Sequence, residues 1–118
     1  MELSANELRI GNYVSSILHR NKFFVIRGIG KAWVNFEGIS ITVTIPELEP
    51  IPLTEEWLLK CGAVKLDFKT FPSFNLFGMQ INFVDGIWKE YVHQVELKGL
   101  HHLQNLFFFS RNEELTIK

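Results

Sequence analysis

The sequence holds a single cysteine, Cys61, so no disulfide can form within the chain. It has no apolar run approaching the ~20 residues of a membrane-spanning helix. Met1 to Arg9 carries charges and no apolar stretch, so no secretory leader is expected there. Together these absences lead us to expect a cytoplasmic protein with no membrane part. Neither sign of charge is in excess. The formal net charge is −1, which argues against the broad basic footprint of a strong nucleic-acid binder. A phosphate-binding loop is also lacking: Gly28, Gly30 and Lys31 have no helix behind them.

What the chain has in quantity is large rings. It carries 11 phenylalanines and 3 tryptophans in 118 residues, with 47% hydrophobic and 21% charged residues. That length suits one compact domain, spanning 1–118, and the composition excludes general disorder. So many rings in so short a chain must either fill an aromatic core or face a partner.

Hydrophobic periodicity divides the chain into a strand-rich half, 1–53, and a helix–hairpin–helix half, 54–118. Ser4 is placed to cap a single turn over Asn6 to Leu8. Strands are predicted over Tyr13–Leu18, Phe23–Ile29, Ala32–Phe36 and Ile39–Ile45. His19 to Lys22 reads as a polar hairpin connection, and Gly28 and Gly30 as a bulge or a sharp bend. In the fourth strand Ile39, Ile41, Val43 and Ile45 alternate with polar residues, which predicts one buried face. Pro46, Pro50 and Pro52 then forbid a continued central strand.

"PIPLTEEWLLKCGA" specifies a helix of about two turns. Thr54 is its N-cap, and Glu55 and Glu56 complement the dipole. Trp57, Leu58 and Cys61 form its apolar face, widened by Leu59, and Gly62 is its left-handed stop. Strands are predicted over Val64–Lys69, Phe74–Phe77 and Met79–Val84. Asp85-Gly86 signals a type I′ hairpin, and Ile87–Leu97 reads as the longest strand. Leu100–Ser110 reads as a helix, and Leu115–Ile117 as a short terminal strand. The order implies an α+β fold with antiparallel sheets, a short capped helix, a β-hairpin and a C-terminal helix. The first half is compatible with an SH3-like barrel, and a flat meander would read the same way.

"ELRIGNYV", "LEPIPLTEEWLLKCG" and "HHLQNLFFFSRNEELTIK" resemble marks of an uncharacterised family of small bacterial proteins met in phage-like and other mobile elements. Cys61 stands where a larger apolar residue would suit that pattern, and Arg111-Asn112 where a turn glycine would. The resemblance implies a cytoplasmic accessory protein. It carries no catalytic residues and no cofactor.

Residues capable of chemistry are poorly arranged for it. His101 and His102 are neighbours, about 100° apart on a helix, and cannot easily share one metal ion. No second cysteine joins them. Cys61 lies on an apolar face near a helix C-terminus, where the dipole disfavours a thiolate. Glu55-Glu56 and Glu113-Glu114 are neighbours, not carboxylates opposed across a cleft. Catalytic, metal and cofactor sites are therefore not expected, and the third reading, after those below, is an enzyme whose site is assembled from residues that local spacing does not reveal.

Two surfaces remain. Leu100, Leu103 and Phe107 make a stripe that docks the last helix, which turns Phe108 and Phe109 away from it. Leu106, Phe108 and Phe109 are thus the candidate interface, to an unknown protein or a second copy of the chain. Arg20, Lys22, Arg27, Lys31 and Trp33 are the candidate contacts of a weak nucleic-acid-binding module, the alternative reading.

Overall fold

The computed structural model describes Leu3 and residues 5–18, 22–67 and 70–118. The expected Ser4 cap, most of the His19–Lys22 connection, Arg20 and the end of the Val64–Lys69 strand lie outside them.

Two five-stranded antiparallel sheets form an α+β fold with two α-helices. The first sheet contains β1 (Tyr13–Ser16), β2 (Phe24–Ile29), β3 (Trp33–Phe36), β4 (Thr42–Thr44) and β5 (Leu48–Glu49), in the order β4-β3-β2-β1-β5. β4 and β5 are separated by a 3-10 turn, Ile45–Glu47, with Pro46 in its first turn, where a missing N–H costs nothing. No hydrogen-bonded ladder joins β4 to β5. The sheet is thus a four-strand meander whose fifth strand returns beside the first, and it does not close into a barrel. Its inward residues include Val14, Ile26, Val34, Phe36, Val43 and Leu48, which form one core with Leu3 and Leu8. The glycine bulge is present, as a register shift between Ile26 and Gly28.

The second sheet is a meander of β6 (Val64–Leu66), β7 (Ser73–Leu76), β8 (Met79–Val84), β9 (Ile87–Glu90) and β10 (Val95–Glu96). Its core joins Phe74, Leu76 and Ile81 to Leu58 and Cys61 of helix α1 (Glu55–Lys60) and to Leu100, Leu103 and Phe107 of helix α2 (Leu100–Arg111). Thr54 caps α1, its hydroxyl accepting from the Trp57 N–H, and Gly62 ends it at φ +92°. Asp85 and Gly86 both take positive φ, +54° and +78°, as a type I′ turn requires. α2 is terminated by Asn112, left-handed at φ +57°, whose N–H donates to the Phe108 carbonyl. Asparagine tolerates this conformation better than most residues, so it fills the glycine role.

Several expectations from periodicity are corrected. The fourth strand covers only Thr42–Thr44, because pairing with β3 ends at Asn35–Thr42. Ile39 and Ile41 sit in the preceding turn and are 40% and 37% exposed. The expected long strand Ile87–Leu97 is broken at Tyr91–Gln94, and its two pieces, β9 and β10, pair with each other. Glu90 makes the break. Its carboxylate accepts from the N–H groups of Val92 and His93 at 2.6 and 2.9 Å, replacing ladder bonds with a side-chain cap. In β6, register sets Val64 opposite exposed Asn75, so Val64 faces outward. Leu59 is exposed and adds nothing to the α1 face. Leu115–Ile117 forms no strand; Leu115 is buried in the second core and Ile117 packs against it.

Candidate interaction site on the C-terminal helix

α2 joins the two halves through buried polar contacts. Gln104 Nε2 donates to the Gly11 carbonyl at 3.0 Å, and its Oε1 accepts from the Tyr13 N–H at 2.8 Å. Asn105 Oδ1 accepts from Asn12 Nδ2 at 2.9 Å, and Asn105 Nδ2 donates to the Glu7 carbonyl at 2.7 Å. Arg9 pairs with Glu114 at 2.6 Å just past the helix. The Gln104 and Asn105 bonds satisfy part-buried polar groups, and the Asn105 bond to Glu7 seats the 3-10 turn Ala5–Glu7 against the helix.

Beside this seam opens a cleft of about 480 Å³, lined by Glu7, Lys98, His101, His102, Asn105, Leu106 and Phe109. The α2 residues fall at i, i+1, i+4, i+5 and i+8, one stripe of the helix, next to the stripe that packs on the sheet. His101 is 1% exposed, and Phe109 at the other end is 78% exposed. Leu106 is half-buried, with part of its side chain against the second core. Phe108 turns elsewhere. It is half-buried, and the Arg9 guanidinium lies 4.3 Å from its ring centre. Of the three rings, then, Phe107 enters the core, Phe108 lies under a cation, and Phe109 stands in solvent.

The cleft's polar groups have assigned roles. His101 Nε2 lies 3.3 Å from Glu7 Oε1, and a carboxylate can only accept, so Nε2 carries the proton. His101 Nδ1 is buried with no partner. Burial holds His101 below its ordinary pKa, against the opposing pull of Glu7. His102 Nδ1 accepts from the Lys98 N–H at 3.3 Å, which leaves its Nε2–H as a donor. Burial, then the nearby Lys98 ammonium, holds His102 low as well. Both rings are therefore neutral near pH 7.

The remaining candidates lie apart from this cleft. Trp33 and Arg27 are exposed on the outer side of the first sheet, with Trp33 lying over Gly30 and Arg27 beside Asn35 and Thr42. Lys22 and Lys31 are exposed in its connections. Phe23, half exposed, packs edge-on against Trp57 at 5.0 Å and so belongs to the contact between the halves. His93 is bound instead to Glu90, its Nδ1 2.8 Å from the carboxylate. Among the described residues no group of three or more His, Cys, Asp or Glu side chains could hold a metal ion. Cys61 is buried, and burial pushes its thiol up to about 12.

Sequence reasoning missed the polar side of the cleft. Glu7 and His101 are 94 residues apart, and no local pattern links them. It also missed Phe77, which is 58% exposed, sits over Gly62 and takes φ +49° in the β7–β8 turn. Arg111 donates to the Phe77 carbonyl there. Gly78, at φ +92°, was the available signal for a turn there, but phenylalanine is not among the residues that usually precede it. Comparison of the chain with protein-family models, curated proteins and solved structures finds no match.

Proposed function

We propose that the chain is a non-catalytic interaction protein, an accessory factor of the cytoplasm, which presents one stripe of α2 to a protein partner. The observation that carries this is Phe109. A phenylalanine 78% exposed beside half-buried Leu106, at the rim of a 480 Å³ cleft, leaves apolar surface in water on a helix anchored in the second core and hydrogen-bonded to the first half. Such surface marks interaction sites. The resemblance to an uncharacterised family of small bacterial proteins met in mobile elements, which implies no activity, is compatible with this reading. Among the described residues no helix is long and apolar enough to cross a membrane.

The test uses affinity capture from the native host with the wild-type chain and a Leu106→Ser/Phe109→Ser variant, beside sedimentation equilibrium of both. The expected result is a partner, or a second copy of the chain, bound by the wild type and lost by a variant with an unchanged melt. Identical capture by both proteins, with both monomeric at hundreds of micromolar, overturns the reading.

A further inference from the structure

We infer that the outer edge of β4 pairs antiparallel with the same edge of a second copy of the chain, so that two first sheets become one continuous sheet. This surface is separate from the α2 stripe. In the order β4-β3-β2-β1-β5 it lies at the far end from β1, the strand that α2 holds through Gln104.

The ends of the two sheets are not equally closed. On β5 the Leu48 N–H donates to the Ile45 carbonyl, and Pro50 follows directly after Glu49. β6 carries Lys65, with Asp67 just beyond it, and β10 carries Glu96, with Lys98 just beyond it. Charges, prolines and internal bonds of this kind keep exposed edges from pairing. Gly38 to Ile45, by contrast, reads GISITVTI, without a charge or a proline. Thr42 and Thr44 are exposed, and among the described residues no backbone-to-backbone bond reaches the outer side of β4.

The backbone direction selects the occupant. The Ile45 N–H donates to the Ala32 carbonyl, on the β3 side, at 2.9 Å. Backbone groups alternate along a strand, so Val43 also bonds toward β3, and Thr42 and Thr44 turn their N–H and C=O groups outward. Thr-Val-Thr reads the same in both directions. An antiparallel pair centred on Val43 sets Thr42 opposite Thr44 of the second copy, and every outward group then finds a partner. Centring on either threonine matches only one residue of each copy. Facing threonines make a favourable cross-strand pair on the wet face. On the other face Ile41, 37% exposed, comes beside Ile45 of the second copy. No like charges meet.

Glu47 is a partial guard. Its Oε1 accepts from the Thr44 N–H at 3.3 Å and from the Thr44 hydroxyl at 2.6 Å. Pairing exchanges the longer of these bonds for one to the Thr42 carbonyl of the second copy, and the hydroxyl keeps its hold. β4 is only three residues long, so the pair is weak and forms at roughly hundreds of micromolar.

The experiment follows the full chain by sedimentation equilibrium and amide chemical shifts from micromolar to millimolar concentration. A dimer should form, with concentration-dependent shifts centred on Thr42 and Thr44. Glu47→Ala should tighten it several-fold. Thr42→Pro should weaken it by at least about tenfold with the melt unchanged, because the lost N–H faces away from β3. A trapping test does not depend on that variant. Thr42→Cys mixed with Thr44→Cys in a glutathione buffer should give a disulfide-linked pair of unlike chains, faster than either variant alone, with buried Cys61 taking no part. The Leu106→Ser/Phe109→Ser variant should dimerise as the wild type does; a dimer lost there belongs to α2 and overturns this inference. Wild type and Glu47→Ala both monomeric at millimolar concentration overturn it too. So do shifts centred away from β4, or trapping no faster in the mixture than in either variant alone.

Discussion

Gln104 on α2 donates to the carbonyl of Gly11, 93 residues earlier, at 3.0 Å. The same side chain accepts from the Tyr13 N–H, and Gln104 is buried. One amide thus satisfies two backbone groups at the entry to β1, and the helix cannot shift without exposing or orphaning them. Gln104→Ala should destabilise the chain by about 1–3 kcal/mol, because the freed donor and acceptor stay buried. Chemical denaturation measures it. A loss below about 0.5 kcal/mol, the scale of an ordinary surface change, would show that the seam does not depend on this residue.

The cap of α1 is a smaller, local test. The Thr54 hydroxyl accepts from the Trp57 N–H at 3.2 Å. Thr54→Ala should cost about 1 kcal/mol, and Thr54→Ser much less. Equal melts for all three proteins would remove the cap from the account.

Gly86 tests the hairpin. It holds φ +78° with open space where a side chain would lie, so only backbone strain opposes substitution. Gly86→Val should destabilise by about 1–3 kcal/mol, and Gly86→Asn by less, since Asn tolerates the left-handed region. An unaffected valine variant would contradict the turn.

His101 predicts an acid sensitivity. Burial holds it below its ordinary value of 6.5, with Glu7 pulling the other way. The folded chain binds this proton less readily than the unfolded chain. Its contribution to stability is therefore complete above 6.5 and is lost as pH falls through the folded value. His102, also held low, acts in the same sense. The urea midpoint should drop between about pH 7.5 and about pH 5.5, and His101→Gln should flatten part of that drop. A midpoint independent of pH over this range would contradict a neutral, buried His101.

Nucleic acid should bind weakly. Arg27, Lys31 and Trp33 are exposed, but the chain carries a net charge of −1. Single-stranded DNA should bind at micromolar strength or weaker in physiological salt. Nanomolar anisotropy titrations abolished by Arg27→Ala and Lys31→Ala would instead make the first sheet the functional face.

The features legible in the sequence are those whose partners lie within about four residues. The Thr54 cap, the Gly62 stop, the Asp85-Gly86 turn and the Gly28 bulge each depend on backbone preferences of the residues themselves. The Leu100, Leu103 and Phe107 stripe was legible for the same reason, since a helix repeats its own face. Where alternation misled, pairing decided. Ile39 and Ile41 read as a buried face, yet β3 ends before it can pair with them, and a strand face is buried only where a neighbouring strand extends beside it. Val64 is turned outward by its register with β7. Glu90 reads as one more strand residue until its carboxylate bends to the next two N–H groups.

The cleft divides along the same line. Helical period alone turned Phe108 and Phe109 away from the docking stripe. Only the tertiary structure laid Arg9 over Phe108 and left Phe109 in water. Only it brought Glu7 to His101 and set both beside Lys98 and His102 in one cleft. The contacts of Glu7 and Arg9 with α2 join residues more than ninety positions apart, and their energy exists only after the helix is fixed against the first half. Local sequence can specify which face a helix presents. What stands opposite that face depends on the packing of the whole chain.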